Sequence, residues 1–269
     1  MPDPTPTRPI ALTIAGSDSS GGAGIQADLK TFSANRVYGA SAITALTAQN
    51  TVGVQAVHTP PAEFVGAQID SVFADLKVAA IKSGMLANRD IIEIVAEKLN
   101  AQPSIPLIAD PVMVATSGDP LLAPDAMDAV RTRLVPRATL LTPNLDEAAQ
   151  LLQTGKATTS EEMVVQARQI LTLGCDAVLL KGGHFEGEEA ADVMVRSDGH
   201  EQWFSAKRVA TENTHGTGCT LSAAIAAQIA HGLELAAAIG EAKTYLTRAL
   251  EAGASQKVGM GHGPVDHLA

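Results

Sequence analysis

Ile10-Ala11-Leu12-Thr13-Ile14-Ala15-Gly16-Ser17-Asp18-Ser19-Ser20-Gly21-Gly22-Ala23-Gly24-Ile25-Gln26-Ala27-Asp28-Leu29 reads as a strand, a glycine-rich loop and a helix in succession. Residues 10–15 form a short apolar run, and beyond the glycines Ile25, Leu29 and Phe32 recur at helical spacing. The alternation then repeats. Residues 40–48, 52–57, 78–81, 107–109, 139–141 and 177–180 read as strands, and 63–73, 91–99, 124–134, 146–152 and 161–173 as helices. Residues 192–196 and 201–205 predict a small antiparallel strand pair, and two Ala-rich helices, 217–231 and 235–252, close the body. Strands and helices in this alternation predict an α/β fold, with a mainly parallel central sheet and helices on both faces. One domain is expected over 10–269, preceded by a loose, proline-rich arm over 1–9.

At 269 residues with 46% hydrophobic content the chain is long enough for one large core. A net charge of −10 and a pI near 5.1 argue against nucleic-acid or anionic-membrane partners, because neither is drawn to an acidic exterior. Any phosphate must therefore be held by local groups. Cys175 and Cys219 form neither a disulfide framework nor a metal spacing, which reads as a reduced, cytoplasmic protein. No apolar stretch reaches about 18 residues, so no transmembrane helix is expected.

In parallel α/β sheets ligands bind beyond the carboxyl ends of the strands, and the polar clusters of this chain fall there in sequence. The longest is Thr211-Glu212-Asn213-Thr214-His215-Gly216-Thr217-Gly218-Cys219-Thr220-Leu221-Ser222-Ala223-Ala224, which is polar and glycine-punctuated until a helix begins. A helix start offers free N–H groups and partial positive charge to a phosphate. Gly216 and Gly218 let the backbone approach it closely. Cys219 falls in the first turn, where a thiol is expected to become more acidic. Asp110, Asn144, Glu147 and Lys181 come from three strand ends onto one rim, and oxygen ligands of this kind suit Mg²⁺ shared with phosphates. Asn144 equally reads as a helix cap, and Lys181, after an apolar strand, is expected to reach a nucleotide phosphate. Gln49 can offer one donor and one acceptor to a flat heterocycle. Met85 suits either core packing or the cover of an aromatic ring. Asp28 reads either as solvated or as aimed at a ligand.

The glycines at 22 and 24 fit a dinucleotide-binding turn, but from Leu29 through Ala62 there is no Asp or Glu to hold a ribose. No phosphate-loop lysine motif, His-Glu-x-x-His, Gly-x-Ser-x-Gly or Cys-x-x-Cys occurs either. His231 reads as structural, His262 and His267 as solvated. An anion hole, a Mg²⁺ edge, a lysine and an amide-bearing pocket together describe a small-molecule kinase.

Several stretches taken together resemble one family: Ala15 through Lys30, Thr47-Ala48-Gln49-Asn50-Thr51, Gly84-Met85-Leu86, Asp110-Pro111-Val112-Met113, Thr142-Pro143-Asn144, Lys181-Gly182-Gly183-His184, Asn213 through Thr220, and Gly261-His262-Gly263-Pro264-Val265. They are similar to the hydroxymethylpyrimidine/phosphomethylpyrimidine kinases of thiamine biosynthesis, in the ribokinase-like superfamily. The resemblance implies phosphorylation of 4-amino-5-hydroxymethyl-2-methylpyrimidine with ATP and Mg²⁺, then of its monophosphate to the diphosphate, by a homodimer. It implies that Gln49 grips the aminopyrimidine edge while Gly16, Asp28, Met85 and Val112 shape its pocket. Asp110 and Glu147 would hold the metal, Asn144, Lys181 and Thr217 would serve ATP, and Gly216 and Gly218 would form the anion hole. Cys219 would stand where the wider superfamily has an aspartate as base. Ser19 occupies a position where proline is frequent, and Thr116 one where many members have lysine, which leaves Lys181 as the main cation for the transferred phosphate. The nearest rival is a pyridoxine or pyridoxal kinase, against which the Gln49 amide argues. A nucleotide sensor without turnover is the rival from another class.

Overall fold

The computed structural model describes residues 8–114, 121–183 and 188–269. β1 (Ile10–Asp18) pairs in parallel with β2 (Tyr38–Asn50) on one side and β4 (Val78–Ser83) on the other. Parallel pairing continues through β5 (Leu107–Ala109), β6 (Leu140–Leu141) and β7 (Ala177–Lys181). Antiparallel strands close both edges: β3 (Gly53–His58) beside β2, and β8 (Glu189–Arg196) with β9 (Glu201–Lys207) beyond β7. Among the described residues nine strands form one sheet in the order β3-β2-β1-β4-β5-β6-β7-β8-β9. The expected strand pair is thus β8 and β9.

Successive strand residues serve opposite cores, as the twofold period of a pleated strand requires. Leu12, Ile14, Ile81, Leu107, Leu141 and Val178 pack with helices α2 (Ala62–Asp75), α3 (Arg89–Asn100), α5 (Leu145–Leu152) and α6 (Ser160–Leu171). Ala11, Ala80, Ile108, Leu140 and Leu179 pack with α1 (Gly24–Ala34), α7 (Thr217–Ala230) and α8 (Leu235–Gly253). Helix α7 is buried on all sides from Thr220 to Ala227. Its alanines let it lie between the sheet and the flanking α1 and α8, which delivers its N-terminus to the carboxyl ends of β1, β4 and β5.

The helix starts fall into two kinds. Asn88 accepts from Ile91 N at α3, Thr159 from Glu162 N at α6, and Asn144 and Glu147 form a reciprocal capping box at α5. Helices α1, α2, α7 and α8 begin with no side-chain cap.

Two expectations are corrected. Strand β1 runs three residues past the expected end at Ala15, with a break in register against β2 between Ala15 and Ser17 where Gly16 sits. The segment 124–137, expected as one helix to Leu134, is instead a 3₁₀ turn (Pro124–Ala126), α4 (Met127–Ala129), a π-helical turn (Val130–Leu134) and a second 3₁₀ turn (Val135–Arg137). Pro136 has no N–H to continue a regular helix and restrains the residue before it. Among the described residues no helix is long and apolar enough to cross a membrane. Residues 1–7 of the proposed arm, Thr116 and His184 lie outside the described residues.

Candidate active site

A cleft of about 850 Å³ opens at the carboxyl ends of the parallel strands. Its anion-binding end is built by two glycines. Gly216, the cap residue of α7, has φ +79°, and a Cβ added there would fall 1.9 Å from the Gly22 carbonyl oxygen. Only glycine satisfies both conditions. The glycine loop after β1 is thereby pressed against the start of α7. Thr217 N donates to Thr214 O, and Thr220 N to Gly216 O, leaving the Gly218 and Cys219 amides without an acceptor among the described residues. Two unspent amides at a helix start form an anion site.

Asp18 ties the two loops together. Its Oδ2 accepts from the amides of Gly22 and Ala23 and lies 2.8 Å from His215 Nε2, while Oδ1 accepts from Ser20 N and Oγ. Burial works against the charge, but the hydrogen bonds from His215, Ser20 and Ala23 hold the carboxyl down at about 2. His215 is buried, and its amide donates to Gly263 O in the C-terminal tail.

Asp110, Glu147 and Lys181 lie together on one rim. Lys181, last residue of β7, puts its ammonium 2.9 Å from Asp110 Oδ1 and 3.9 Å from Glu147 Oε2. Burial pushes the Glu147 carboxyl up to about 7, with Lys181 opposing and Asp110 reinforcing the shift. Asn144 Oδ1 is committed to Glu147 N at 2.8 Å, and Glu147 Oε2 accepts from Asn144 N at 2.7 Å. The cap reading of Asn144 is therefore present in the structure, and its amide N–H₂ group is what it has left for a ligand. A Cβ on Gly218 would stand 3.4 Å from Lys181 Nζ and 3.7 Å from Asp110 Oδ2, so the rim and the anion site are adjacent.

Toward β2 the cleft narrows to an apolar slot. Met85 packs with Ala45, Ala87 and Val112, and its Sδ lies 2.9 Å from where a Gly16 Cβ would be. Gln49 stands at the end of β2, where Thr47 Oγ1 donates to its Oε1 at 3.1 Å. Ser19 Oγ pairs with both the amide and the carbonyl of Gln49 at 2.8 Å, so the residue found where proline is frequent fastens Gln49 in place. Asp28 is not brought to this slot. It is fully buried below the floor, against the expectation of direct substrate contact, because it shares the apolar face of α1 with Ile25 and Phe32. Its Oδ2 accepts from Thr13 Oγ1 at 2.6 Å and from the ammonium of Lys82 at 2.9 Å.

Lys82 was not singled out in the sequence, where it follows the apolar run 78–81 near the end of a strand. A lysine so placed was the available signal, since a buried charge is costly without a partner. Cys219 departs from its expected acidity. Although it opens a helix, burial pushes its thiol up to about 11, while Lys82 pulls in the other direction. His267, expected in solvent, is buried beside Thr220 Oγ1, and its ring is pushed down to about 4 by burial and by Lys30.

An uncapped helix start facing an acidic rim with a buried lysine, beside a slot for a flat ring, defines a small-molecule phosphotransferase on a ribokinase-like fold. The profile of the phosphomethylpyrimidine kinase family matches residues 18–266. A hydroxymethylpyrimidine/phosphomethylpyrimidine kinase of Salmonella typhimurium is 54% identical over 258 residues, covering 96% of this chain and 97% of that protein. Among solved structures, phosphomethylpyrimidine kinase of Clostridium difficile 630 aligns with TM-score 0.80 at 42% identity, over 90% of this chain and 100% of that one. Bacillus subtilis pyridoxal kinase in an ADP complex aligns with TM-score 0.88 at 37% identity, over 97% and 98%. The chain belongs to the phosphomethylpyrimidine kinase family.

Proposed function

We propose that this chain transfers the γ-phosphoryl group of ATP to the hydroxymethyl oxygen of 4-amino-5-hydroxymethyl-2-methylpyrimidine, and then phosphorylates the monophosphate to the diphosphate, in thiamine biosynthesis. The observation that carries this reading is the meeting, in one cleft, of the Gln49 amide, the slot of Gly16, Met85 and Val112, and the free amides of Gly218 and Cys219. The Gln49 side chain matches an amino-substituted pyrimidine edge, and Met85 suits the face of the ring. High identity to kinases of that name supports the same substrate.

In this reading the Gly218 and Cys219 amides meet the charge that develops on the transferred group, and Lys181 and Thr217 hold the nucleotide phosphates. The O–P bond forms as the bond to ADP breaks, and ADP leaves with the electron pair. Cys219 Sγ receives the hydroxyl proton. With the thiol near 11, roughly one molecule in ten thousand carries a thiolate at neutral pH, so the proton moves together with bond formation. Asp110 and Glu147 fit a Mg²⁺ ion. Both carboxylates lie on the rim within reach of the same ammonium, and Glu147 is a buried carboxyl that a nearby cation would keep charged. Among the described residues no three His, Cys, Asp or Glu side chains converge there, which suits an ion that takes water and phosphate oxygens for the rest of its shell. When bound, Mg²⁺ supplies neutralisation of the ATP phosphates.

A cytoplasmic homodimer without a nucleic-acid partner completes the reading. Both cysteines are free thiols, the net charge is −10, and Leu46, Val52, Val57 and Phe64 expose apolar surface along β2, β3 and the start of α2 that a second copy would cover. The test is identification of the products formed from the pyrimidine alcohol and MgATP, with pyridoxal as competing acceptor. Monophosphate followed by diphosphate is expected. Much faster use of pyridoxal overturns the substrate, and ATP binding without product overturns the enzyme.

A further inference from the structure

Beside the end of β7 lies a buried ion pair that the chemistry above does not use. Along β8 Val193 and Val195 serve one core and Met194 the other, so Asp192 points with Met194 to the α7 and α8 side of the sheet. Lys243 meets it there from α8, at helical spacing with Ile239, Ala242 and Leu246 on the packed face. Its ammonium donates to Asp192 Oδ2 at 2.5 Å, and both residues are buried. Such a pair adds little to folding, because apolar side chains of similar volume commonly serve a core as well or better. Its place is informative, since Asp192 and Lys243 line the cleft together with Lys181 and Gly183, and Asp192 stands opposite Lys181 in the β7–β8 pairing.

The second carboxylate oxygen is spent on the peptide that follows Lys181. Asp192 Oδ1 accepts from Gly182 N at 3.0 Å, an amide that also donates to Ala191 O at 3.1 Å. Two glycines directly after a functional lysine would make a loose joint. Here that joint is held. A Cβ on Gly182 would fall 2.4 Å from Ala191 O and 2.8 Å from Met163 Cε, so glycine is what lets β8 and α6 come this close. Arg208, just past β9, donates from Nη1 to Gly183 O at 2.7 Å. On the other side of the joint Lys181 N donates to Pro143 O at 2.9 Å, while its ammonium reaches Asp110 and Glu147. A bare carboxylate on this wall would repel a phosphate; paired with Lys243, Asp192 can hold the backbone without doing so.

We propose that Asp192 is a positioning residue for the nucleotide: its two carboxylate oxygens fasten the Lys181–Gly182 peptide to Lys243 of α8, and so set where the Lys181 ammonium meets the phosphates. The proposal rests on the reading of Lys181 as a nucleotide ligand. Asp192 then acts through Lys181, and its effect disappears when Lys181 is absent. A purely structural pair has no such signature.

The experiment is a double-mutant cycle on the binding of AMP-PCP, a non-hydrolysable ATP analogue, with Mg²⁺, read by isothermal titration calorimetry beside the ATP and pyrimidine KM values. Asp192→Asn keeps the shape but turns an N–H₂ group toward one of two donors, Gly182 N or the Lys243 ammonium. It should weaken the analogue about tenfold and raise the ATP KM by a similar factor, with the pyrimidine KM within about twofold. Lys181→Ala should also weaken the analogue, and adding Asp192→Asn to it should cost less than about twofold more. Unchanged binding in Asp192→Asn, or an equal loss with and without Lys181, overturns the positioning role; a weakened Lys181→Ala then still keeps Lys181 as a ligand. Unchanged binding in Lys181→Ala overturns the reading of Lys181 and the proposal with it. If Asp192→Asn does not fold, Asp192→Asn combined with Lys243→Met, which leaves no charge of the pair unpartnered, takes its place and must show the same dependence on Lys181.

Discussion

Gly216→Ala probes the joint between the first glycine loop and α7. The added methyl would stand 1.9 Å from the Gly22 carbonyl oxygen and 2.9 Å from its carbonyl carbon. These are backbone atoms and cannot swing aside. Restoring an ordinary carbon–oxygen contact of about 3.3 Å requires the two segments to part by about 1.4 Å. Alanine must also hold φ near the observed +79°, at about 1–2 kcal/mol. That part should appear as a fall in Tm of a few degrees. The displacement acts on the chemistry, because the Gly218 and Cys219 amides move with Gly216. A misplacement of about 1 Å can cost about 10²-fold in rate, or about 2.7 kcal/mol of barrier. A coupled ADP-release assay at saturating pyrimidine and ATP should therefore show kcat about 100-fold lower, with the pyrimidine KM nearly unchanged because the slot at Gln49 and Met85 is not displaced. Gly240→Ala in α8, where a Cβ meets nothing within 4 Å, is the matched control and should be neutral or slightly stabilising. A Gly216→Ala enzyme with kcat within threefold of wild type would show that the close packing of these loops does not set the anion site.

Cys219→Ala should lower turnover by about 10² to 10⁴, the range for losing a positioned proton acceptor; near wild-type turnover would leave the backbone amides as the main contributors. Gln49→Leu should weaken pyrimidine binding by about 1–3 kcal/mol through an unpaired ring donor or acceptor, and an unchanged KM would remove Gln49 from the pocket. Asp18 supplies a pH dependence. Its folded value of about 2 lies below the ordinary 3.8, so the unfolded chain binds the extra proton. The associated stability, about 2 kcal/mol, is present above pH 4 and lost as pH falls toward 2. Thermal unfolding against pH should show this acid loss in wild type and a shallower one in Asp18→Asn, and parallel curves would refute the assignment.

The sequence was most legible where a local pattern changes abruptly. The apolar run before Lys181 and the switch from glycines to alanines after Gly218 mark strand and helix ends, and the structure puts both at the cleft. What depended on the third dimension was not legible. Lys82 follows an apolar run, and only the placement of β4 between β1 and β5 turns it into a buried charge. The helix start argued for an acidic Cys219, but the desolvation that raises its thiol is a tertiary property. Asp28 reads in the sequence either as solvated or as aimed at a ligand, and that its partner is Lys82, 54 residues on, depends on tertiary packing. His267 offered no comparable signal, because a tail that folds back beside α7 leaves no periodicity.

The bond between Asp18 and His215 spans 197 residues of sequence. A ribosome must add these 197 residues after Asp18 before the second half of the phosphate site exists, and the tail that steadies His215 follows later still. An emerging chain can bury the early strands, but it holds no assembled catalytic centre. Activity thus requires that synthesis pass both His215 and Gly263, and truncation ahead of Gly263 should abolish turnover well before it abolishes secondary structure.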